Sequence, residues 1–527
     1  MQKSQQPITA DIRLAELMAA LSLATDLGMG QPMEYALGVC VLSVRLGESL
    51  GLDEDELHDI YYLALLRHIG CNAETYRMAD VFGDELVLRT DIASVDSRNM
   101  SQVLGLVIHS IRQAHEGSPP LQLARMVAQG LLAGPSLMQE AYTGFCEVAQ
   151  LLAERLGFGE SIRMALGQVF ERWDGHGAPG KVKGENIALS IRIVTLAQDA
   201  ITFHRLDGVE AAVNMARERK GSLYDPRIVD CFCQQAPHLL AGLEEEPPWE
   251  IVLALEPGAR TRLSSEQFDH ACRAIADFAD IKSPYTLGHS VGVAELAAQA
   301  ARRCGLPEAD AVMLRRAGLL HDIGRVGISA GIWGKPGKLS TREWERVRLH
   351  PYYTERVLAR PAVLARLGAL ASLHHERLDG SGYYRGVPAN MLSPAARILA
   401  AADVYHAMTE PRPHRPALTP EQAAGELRRE VRSGRLDSEA VNQVLAAAGH
   451  AVRSSRHELV AGLSARQVEV LRLIARGYTI KQIAYALTLS EKTVDNHIQH
   501  IYNKIGVSTR AGATLFAMEQ DLLIDTD

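Results

Sequence analysis

Seven side chains with good metal-binding chemistry are spread over one stretch of the sequence. They are His289, His321, Asp322, His350, His374, His375 and Asp403. Histidines and carboxylates without cysteine suit iron, manganese or zinc, and we expect two divalent metal ions, iron or manganese. Asp322 is the natural bridge between them, because a carboxylate has two oxygens to share. Two cations about 3.5–4 Å apart can hold one hydroxide and clamp a phosphodiester, so the pattern predicts metal-dependent hydrolysis of a phosphate ester.

The two adjacent pairs in this set, His321 with Asp322 and His374 with His375, restrict where the ligands can lie. Neighbouring side chains on a helix diverge by about 100°. Both members of a pair therefore reach one pocket only at a helix end or a distortion. A single histidine is more often solvated or part of a core, but seven ligands in order favour a site. Apolar residues at three- and four-residue spacing predict the helices that carry them, at 269–278, 290–303, 308–320, 341–349, 353–359 and 394–408.

Five motifs surround these residues: HDIGRVGI, KPGKLS, LHP, HHERLDGSGYYRG and ARILAAADVYHAMTEPRPHR. Together they resemble the HD-GYP branch of the HD phosphohydrolases, from about 285 to 433. The resemblance implies a phosphodiesterase that cuts cyclic di-GMP to the linear dinucleotide or to GMP. It also implies that Asp322 bridges two metals. The first would be held by His289, His321, Asp322 and Asp403, and the second by His350, His374 and His375.

The resemblance also implies substrate contacts. Arg412 and Arg415 of RPHR would bind phosphates or guanines, since guanidinium forks fit phosphate oxygens. The alternative for these arginines is a solvated loop. Further substrate contacts are expected from the loop that holds Gly380, Gly382 and Tyr383.

Three positions depart from the family pattern. Arg325 stands where the family commonly has lysine, and arginine can clamp a phosphate but is a poor proton donor. We expect it to bind substrate and to act with His321 and Asp322 in catalysis. Tyr384 replaces the proline of the GYP motif, and Tyr285 stands where some relatives bind a third metal through glutamate. The predicted metal number is therefore two, and specificity for cyclic di-GMP is less firmly indicated than the hydrolysis.

An earlier part of the chain repeats this helical unit without its ligands. SLGLDEDELHDIYYLALLRHIG, ending at Gly70, aligns with RCGLPEADAVMLRRAGLLHDIG, ending at Gly324, at an offset of 254. ERWDGHG from Glu171 matches ERLDGSG from Glu376 at an offset of 205. At these offsets the ligand positions hold Tyr35, Arg67, His68, Val169, Phe170 and Gln198. We predict a non-catalytic first copy, near 10–240, which serves as a packing partner, a dimerisation unit or a sensor; the second copy spans about 265–450.

The sequence after Gly462 resembles a LuxR-type helix-turn-helix over its whole length. Ser464, Thr479 and Ser490 stand at helix N-cap positions, and Ser508 is expected to begin a fourth helix. Residues 462–517 carry a net charge of +4, whereas the whole chain carries −8. A local positive module is what contact with DNA phosphates needs. A bundle that docks a protein is the alternative.

The third helix of this module should enter the major groove of double-stranded DNA. The side chains expected to face outward at its start are Lys492, Thr493, Val494, Asn496 and His497. Val494 could contact a thymine methyl group, or it could simply pack in the core. Lys504 and Arg510 are expected to hold phosphates.

The sequence as a whole predicts an all-α protein with tandem HD-type helical bundles and a C-terminal four-helix helix-turn-helix domain. We place a degenerate HD-like domain at 1–243, a Pro- and Gly-containing linker at 244–264, the phosphohydrolase domain at 265–450 and the DNA-binding domain at 460–527. A hydrophobic content of 47% with 22% charged residues is typical of soluble globular proteins. No signal peptide or membrane-spanning run is recognised, so a cytoplasmic protein without a membrane partner is expected.

These observations favour a homodimeric regulator that hydrolyses a cyclic dinucleotide, with cyclic di-GMP as first choice, and that binds DNA. Two alternatives stay open. The HD-GYP block could sense a nucleotide without hydrolysing it, or it could act on a different nucleotide or a phosphomonoester.

Overall fold

The computed structural model describes residues 12–93, 100–114, 119–243, 248–449, 461, 463–520 and 522–523. Within these residues the fold is entirely helical, and the few backbone bridges are isolated pairs outside any strand. Alanine and leucine, which favour helices, make up more than half of the buried hydrophobic residues. The all-α prediction is therefore confirmed. The chain forms two compact units: the first contains Arg13–Arg262 with Ser329–Gly331, and the second contains Leu263–Ile328 and the described residues from Ile332 on.

Eleven described helices precede Arg262. They are α1 (Leu14–Gly28), α2 (Tyr35–Ser49), α3 (Glu54–Leu66), α4 (Thr75–Phe82), α5 (Glu85–Ala93), α6 (Met100–Ala114), α7 (Pro120–Arg155), α8 (Glu160–Leu166), α9 (Leu189–Arg219), α10 (Pro226–Leu239) and α11 (Pro248–Ala254). None of the described helices is both long and apolar enough to cross a membrane.

Fourteen described helices follow Arg262, of which the last four form the helix-turn-helix module. They are α12 (Ser265–Asp280), α13 (His289–Arg303), α14 (Glu308–Leu320), α15 (Ala330–Trp333), α16 (Thr341–Val347), α17 (His350–Val357), α18 (Ala362–Ala371), α19 (Pro394–Thr409), α20 (Pro420–Arg432), α21 (Ser438–Ala448), α22 (Ala465–Ala475), α23 (Ile480–Leu487), α24 (Glu491–Ile505) and α25 (Arg510–Glu519).

The internal repeat is visible in the helix boundaries. Helices α13 and α14 each begin and end 254 positions after α2 and α3. A short 3-10 turn at Gly184–Asn186 returns 205 positions later as Ala389–Met391. Even the residue before the first helix of each pair, Glu34 or Gly288, has the same left-handed backbone, with φ of 72° and 77°. The two copies therefore share a helical frame that does not depend on the ligands.

Close packing of α13 on α14 brings the first ligands of the second copy together. A Cβ atom added at Gly318 would lie 2.7 Å from the Cα atom of Ala294, so only glycine allows this approach. Ala297 and Leu314 are fully buried on the same two helices. Small residues along α13 thus let α14 lie close enough for its C-terminal end to reach the N-terminal end of α13.

The predicted linker differs from the structure over part of its length. Helix α11 forms within 244–264, and its Trp249 and Val252 side chains are buried in the first unit. Tyr61 donates a hydrogen bond to the Val252 carbonyl at 3.2 Å. The apolar residues of WEIVLA outweigh the prolines before them, because a proline is tolerated in the first turn of a helix.

The helix-turn-helix module follows its capping signals. Ser464 and Thr479 each accept a hydrogen bond from the backbone three residues on, completing capping boxes for α22 and α23. Ser490 caps α24 in the same way, and Gly506 ends that helix with a φ of 73°. The fourth helix is capped by Thr509, whose side chain accepts from Gly512, and not by Ser508 as predicted. Threonine and serine have nearly equal capping chemistry, so the sequence could not separate them.

Candidate metal centre

The structure brings the seven predicted ligands of the second copy to one buried place. His289 and His350 are the first residues of α13 and α17, and Asp403 lies on α19. The two adjacent pairs follow directly on helix ends: His321 and Asp322 come after α14, and the pair at 374 and 375 comes after α18. The expectation that adjacent ligands need a helix end is thus met, because the backbone turns there and lets both side chains face inward.

The turn after α14 is locked to α17 by Thr354. Its hydroxyl donates to the His321 carbonyl at 2.8 Å and accepts from the Gly324 amide at 3.1 Å. A Cβ atom at Gly324 would lie 2.1 Å from the His350 carbonyl oxygen, so the backbones touch only because this residue is glycine. Two ligand-bearing segments are therefore fixed against each other by backbone contacts.

Three of the histidines are held in one tautomer by the main chain. His321, His350 and His374 each direct Nδ1 at the carbonyl of the residue three positions earlier, at 2.7, 2.6 and 2.7 Å. A carbonyl can only accept, so Nδ1 carries the proton in each neutral ring and Nε2 keeps its lone pair. This is the orientation that metal-binding histidines adopt when a backbone carbonyl supports them.

Four ligand atoms form the first group. The Nε2 atom of His289 lies 3.2 Å from Asp403 Oδ1 and 3.8 Å from Asp322 Oδ2. The Nε2 atom of His321 lies 3.5 Å from Asp322 Oδ2 and 3.8 Å from Asp403 Oδ1. Imidazole nitrogens and carboxylate oxygens therefore surround one point at distances that a single divalent cation could span.

The second group lies on the other side of Asp322. Its second oxygen, Oδ1, lies 3.5 Å from Nε2 of both His350 and His374. His375 presents Nδ1 at 3.6 Å from the second oxygen of Asp403. Asp322 thus directs one oxygen at each group, as a bridging ligand would, and its role as a metal bridge stays a prediction. Asp403 also directs one oxygen at each group, which the sequence did not indicate.

The donor set fits a pair of cations. The Nε2 atoms of His350 and His374 lie 3.1 Å apart, and both carry lone pairs because their Nδ1 protons are used by carbonyls. Nε2 of His321 is buried without a hydrogen-bond partner among the described residues. Buried polar atoms are normally paired, and an electrophile between these nitrogens would satisfy all three.

The protonation states agree with this arrangement for most of the ligands. Burial lowers the pKa of His321 to about 4 and that of His350 to about 3, so both rings are neutral near pH 7. Burial would raise the pKa of Asp322, but Arg325 and His321 hold it well below its ordinary value. His289 differs: burial would lower its pKa, but Glu410 and Asp403 raise it to about 10.

Arg325, the residue that replaces the usual lysine, lies against the centre. Its Nη1 donates to Asp322 Oδ2 at 2.7 Å, and its guanidinium lies over the Trp333 ring at 3.9 Å from the centroid. An arginine held by a carboxylate and an aromatic face presents a fixed positive charge. It can therefore neutralise a phosphate beside the bridging aspartate.

A cavity of about 880 Å³ opens onto these ligands from one side. Its walls include Trp333, Trp344, Lys335 and Lys338, and the metal-ligand side is formed by His289, Asp322, His350, His375 and Asp403. A volume in this range accommodates a ligand of drug or dinucleotide size. Aromatic rings and lysines around buried carboxylates suit a molecule that has both bases and phosphates.

The two arginines predicted to bind substrate both line this cavity, but much of their donor capacity is used. Arg412 donates to the Tyr285 carbonyl at 2.6 Å and to Glu410 at 2.8 Å. Arg415 donates to the carbonyls of Met408 and Ala407 and to two further carbonyls nearby. Arg415 therefore organises its own loop, whereas substrate binding by either arginine stays a prediction.

The loop that holds Gly380, Gly382 and Tyr383 supports the site mainly through Tyr383. Its ring lies 4.6 Å from the His375 ring at an interplanar angle of 31°, and it lines the cavity. Gly380 and Gly382 are not among the residues that line the cavity, and their contact with substrate stays a prediction. A Cβ atom at Gly382 would lie 2.5 Å from the Arg377 amide nitrogen. These glycines close the loop on itself.

In the first copy, the residues at the corresponding positions form hydrogen bonds with each other, partly through backbone carbonyls. Tyr35 donates to the Gln198 carbonyl at 2.8 Å, and Arg67 donates to the Val169 carbonyl at 3.0 Å. His68 lies 2.8 Å from the Gln198 side chain, and burial lowers its pKa to about 3. Of the residues that the structure describes, every group that could hold a cation lies in the second copy. The loss of the ligands is thus compensated by internal hydrogen bonds.

The residues predicted to face DNA are divided by burial. Lys492 and Asn496 are exposed on α24, and Thr493 and His497 are partly exposed. Val494 is fully buried, so the prediction that it faces the groove is wrong. Its side chain lies on the apolar side of α24, which packs against the rest of the module. Lys504 donates to Gln467 at 2.8 Å, and Arg510 donates to the Ile474 and Tyr478 carbonyls, so both also hold helices together.

Two residues near the centre were missed by the sequence reasoning. Glu410 accepts from His289 Nδ1 at 2.9 Å, and His406 Nδ1 lies 3.2 Å from the same carboxylate. His406 lies on α19, and Glu410 follows the end of that helix directly, four residues later. This spacing, together with Asp403 one turn earlier, was the signal available in the sequence.

Two known families match parts of the chain. The HD domain family matches residues 273–440, and the family of bacterial regulatory proteins called the luxR family matches residues 461–517.

Similar proteins were found by sequence and by structure. The 3'3'-cGAMP-specific phosphodiesterase 3 of Vibrio cholerae is 34% identical over 416 residues, which cover 78% of this chain and 89% of that protein. A cyclic di-GMP phosphodiesterase of Pseudomonas aeruginosa is 41% identical over 132 residues, which cover 25% of this chain and 32% of that protein. The crystal structure of a cyclic GMP-AMP specific phosphodiesterase of V. cholerae matches with a TM-score of 0.57 and 30% identity, over 82% of this chain and 97% of that one.

Proposed function

The chain belongs to the HD-GYP phosphodiesterases, and we propose that it hydrolyses a 3'3'-cyclic dinucleotide at the metal centre of its second copy and carries this activity on a DNA-binding regulator. The observation that carries the proposal is the position of Asp322. Its two carboxylate oxygens face two separate histidine groups, at 3.5 Å from His321 on one side and 3.5 Å from His350 on the other.

Within this class of substrates we favour cyclic GMP-AMP over cyclic di-GMP. The V. cholerae relative named for 3'3'-cGAMP aligns with both copies, over 78% of the chain, whereas the P. aeruginosa relative named for cyclic di-GMP aligns with 25%. Tyr384 also departs from the GYP sequence, and its ring lies 5.6 Å from the Tyr352 ring. Cyclic di-GMP, our first expectation, becomes the competing substrate.

We propose that two divalent cations bind this centre, one in each group. When bound, they would acidify a shared water and offset the charge on the phosphate oxygens. The residues of the chain have separate tasks. The carbonyl-supported histidines keep Nε2 aimed inward, Asp322 and Asp403 supply negative charge to both groups, and Arg325 holds a fixed positive charge against Asp322 for a non-bridging phosphate oxygen.

Product analysis tests this proposal. The manganese-loaded full-length chain is incubated separately with 3'3'-cGAMP and with cyclic di-GMP, and linear product is measured by chromatography. We expect hydrolysis of 3'3'-cGAMP to be faster, and His321→Ala to remove it. The matched control is Glu421→Gln on the exposed face of α20, which should leave the rate unchanged. If the metal-loaded chain forms no linear product from either dinucleotide, the proposed hydrolysis is refuted.

A nucleotide sensor without turnover is the second candidate, and Arg325 favours it, because arginine is a poor proton donor at the position where the family commonly has lysine. Tight binding of 3'3'-cGAMP without any product, measured by calorimetry on the same metal-loaded chain, would identify a sensor. Activity on phosphomonoesters alone would instead assign a different phosphohydrolase.

The DNA-binding module gives the activity a regulatory outlet. We propose that nucleotide binding or turnover alters the affinity of a homodimer for DNA through the geometry of the dimer. DNA affinity is measured with and without 3'3'-cGAMP at fixed salt, since binding to phosphates depends on ionic strength. Light scattering of the same samples tests the dimer. Identical binding curves would remove the coupling and leave both separate activities in place.

A further inference from the structure

His289 is supported differently from the other histidines of the centre. The Nδ1 atoms of His321, His350 and His374 point at backbone carbonyls on their own segments. The Nδ1 atom of His289 instead lies 2.9 Å from Oε2 of Glu410, a residue 121 positions away in the chain. A side-chain carboxylate, unlike a carbonyl, brings a full negative charge and belongs to another helix end.

Glu410 joins three groups beside the metal centre, of which His289 and Arg412 line the cavity. Besides His289, its Oε2 atom accepts from Arg412 Nη2 at 2.8 Å, and its Oε1 atom lies 3.2 Å from His406 Nδ1. Only 16% of the Glu410 side chain is exposed. Arg412 is further fixed by the Tyr285 carbonyl at 2.6 Å. A buried carboxylate with three partners has little freedom to move, so it fixes the positions of the rings and the guanidinium around it.

The chain leaves space for this cluster at Gly292. A Cβ atom added there would lie 1.8 Å from Nε2 of His406, on the ring that faces Glu410. Gly292 is on α13, one turn after His289. The first turn of α13 therefore carries both a metal ligand and the gap that seats His406.

We propose that Glu410 is a positioning residue of the metal centre. By accepting the Nδ1 proton of His289 it keeps Nε2 of that ring directed at the point between Asp322 and Asp403 where a cation would bind. By accepting a hydrogen bond from Arg412 it holds the guanidinium at the cavity wall, beside the metal centre. The proposal rests on the proposed metal-dependent function and deepens it, because it makes one carboxylate responsible for both a metal ligand and a candidate substrate contact.

The same atoms raise a different assignment, a third cation held by His289, His406 and Glu410, whose ligand atoms lie within 4.8 Å of one another. The geometry favours the positioning role. The Arg412 guanidinium already neutralises Glu410 at 2.8 Å, and a cation at His289 Nδ1 would remove the hydrogen bond that orients Nε2. Two cations per chain, not three, are therefore expected at saturation.

Manganese titration of the metal-depleted full-length chain tests the proposal without any substrate. Free Mn²⁺ is counted by electron paramagnetic resonance for the wild type, Glu410→Ala, Glu410→Gln and the exposed control Glu421→Gln. Mutation of a residue that orients a metal ligand weakens metal binding by about 10–100-fold. We expect this loss in Glu410→Ala for at least one site, a smaller loss in Glu410→Gln because the amide oxygen still accepts from Nδ1, and no change in Glu421→Gln.

The stoichiometry decides between the assignments. A wild-type chain that binds two Mn²⁺ and a Glu410→Ala chain that still binds two, more weakly, support positioning. Three ions in the wild type and two in Glu410→Ala would overturn it in favour of direct ligation, and unchanged affinity in both Glu410 variants would overturn it outright. Circular dichroism verifies folding, and the nearly isosteric Glu410→Gln carries the test should Glu410→Ala unfold. Failure of dinucleotide hydrolysis would refute the proposed function but leave this result intact.

Discussion

Metal binding to this chain should release about one proton, and the proton should come from His289. In the metal-free chain, Glu410 and Asp403 overcome the effect of burial and raise the pKa of His289 to about 10. The ring is therefore doubly protonated at neutral pH, and a cation that binds at Nε2 must displace one of its protons. His321 and His350, with pKa values of about 4 and about 3, are already neutral.

The magnitude follows from the sign of that shift. Below its pKa a ligand competes with its proton, so the apparent affinity for Mn²⁺ rises about tenfold for each pH unit, or about 1.4 kcal/mol. Between pH 6 and pH 9 the affinity should thus rise by about 1000-fold because of His289 alone. Asp322 and Asp403 contribute no further slope, since their pKa values are held well below the ordinary carboxylate value.

Calorimetry measures the proton directly. Titration of Mn²⁺ at pH 7.5 in buffers of different ionisation enthalpy gives the number of protons released as the slope of the observed enthalpy. Glu410→Gln is the informative variant, because loss of the carboxylate lowers the pKa of His289 and reduces the released proton fraction. The same change weakens proton competition at Nε2, so the affinities of the Glu410 variants are compared with the wild type after correction for this proton. A metal-bound water that loses its proton would still do so in this variant. Zero protons released by the wild type between pH 6 and pH 9 would refute the reasoning.

Three further predictions concern packing, DNA and metal removal. Gly324→Ala would place a Cβ atom 2.1 Å from a backbone oxygen, so it should reduce the free energy of unfolding by about 3 kcal/mol and lower the melting midpoint. Gly425→Ala, whose Cβ atom would meet nothing within 4 Å, should raise the midpoint slightly. A higher midpoint for Gly324→Ala than for Gly425→Ala would contradict the packing. Lys492→Ala should weaken DNA binding and reduce the salt dependence of log affinity by about 1. Val494 is fully buried, so Val494→Ala should instead cost about 2 kcal/mol of stability. If Val494→Ala lost affinity for particular bases without losing stability, Val494 would be a groove contact after all. Chelation should abolish hydrolysis yet leave far-ultraviolet circular dichroism unchanged, and a helical loss on chelation would show that the fold needs the metal.

The sequence predicted the ligands because their order and neighbours restrict the fold strongly. Adjacent pairs at 321 and 374 can both face inward only at helix ends, and the structure has α14 and α18 ending just before them. The helix-turn-helix was equally accessible, since Ser464 and Thr479 combine capping boxes with apolar spacing. Local signals of this kind depend on a few residues and survive without knowledge of tertiary packing.

The remaining features depend on packing between distant segments. The partner of His289 Nδ1 is set by how the end of α19 meets the start of α13. The spacing of 406 and 410 does not show that Glu410 faces His289. Val494 lies at the start of α24, where the sequence left both a groove contact and core packing open, and only the neighbouring helices decide which face is buried. Helix α11 was hidden by prolines and charges on both sides of a short apolar segment.

The matching lengths of the paired helices have a consequence for engineering. Helices α2 and α3 keep the boundaries of α13 and α14 although the first copy lacks the ligand set. The fold of the unit is therefore a scaffold on which ligands can be installed in steps, for instance by Arg67→His with His68→Asp. Partial sites built in this way would reveal how many ligands are needed before a cation is retained, in a chain whose intact second copy provides the internal standard.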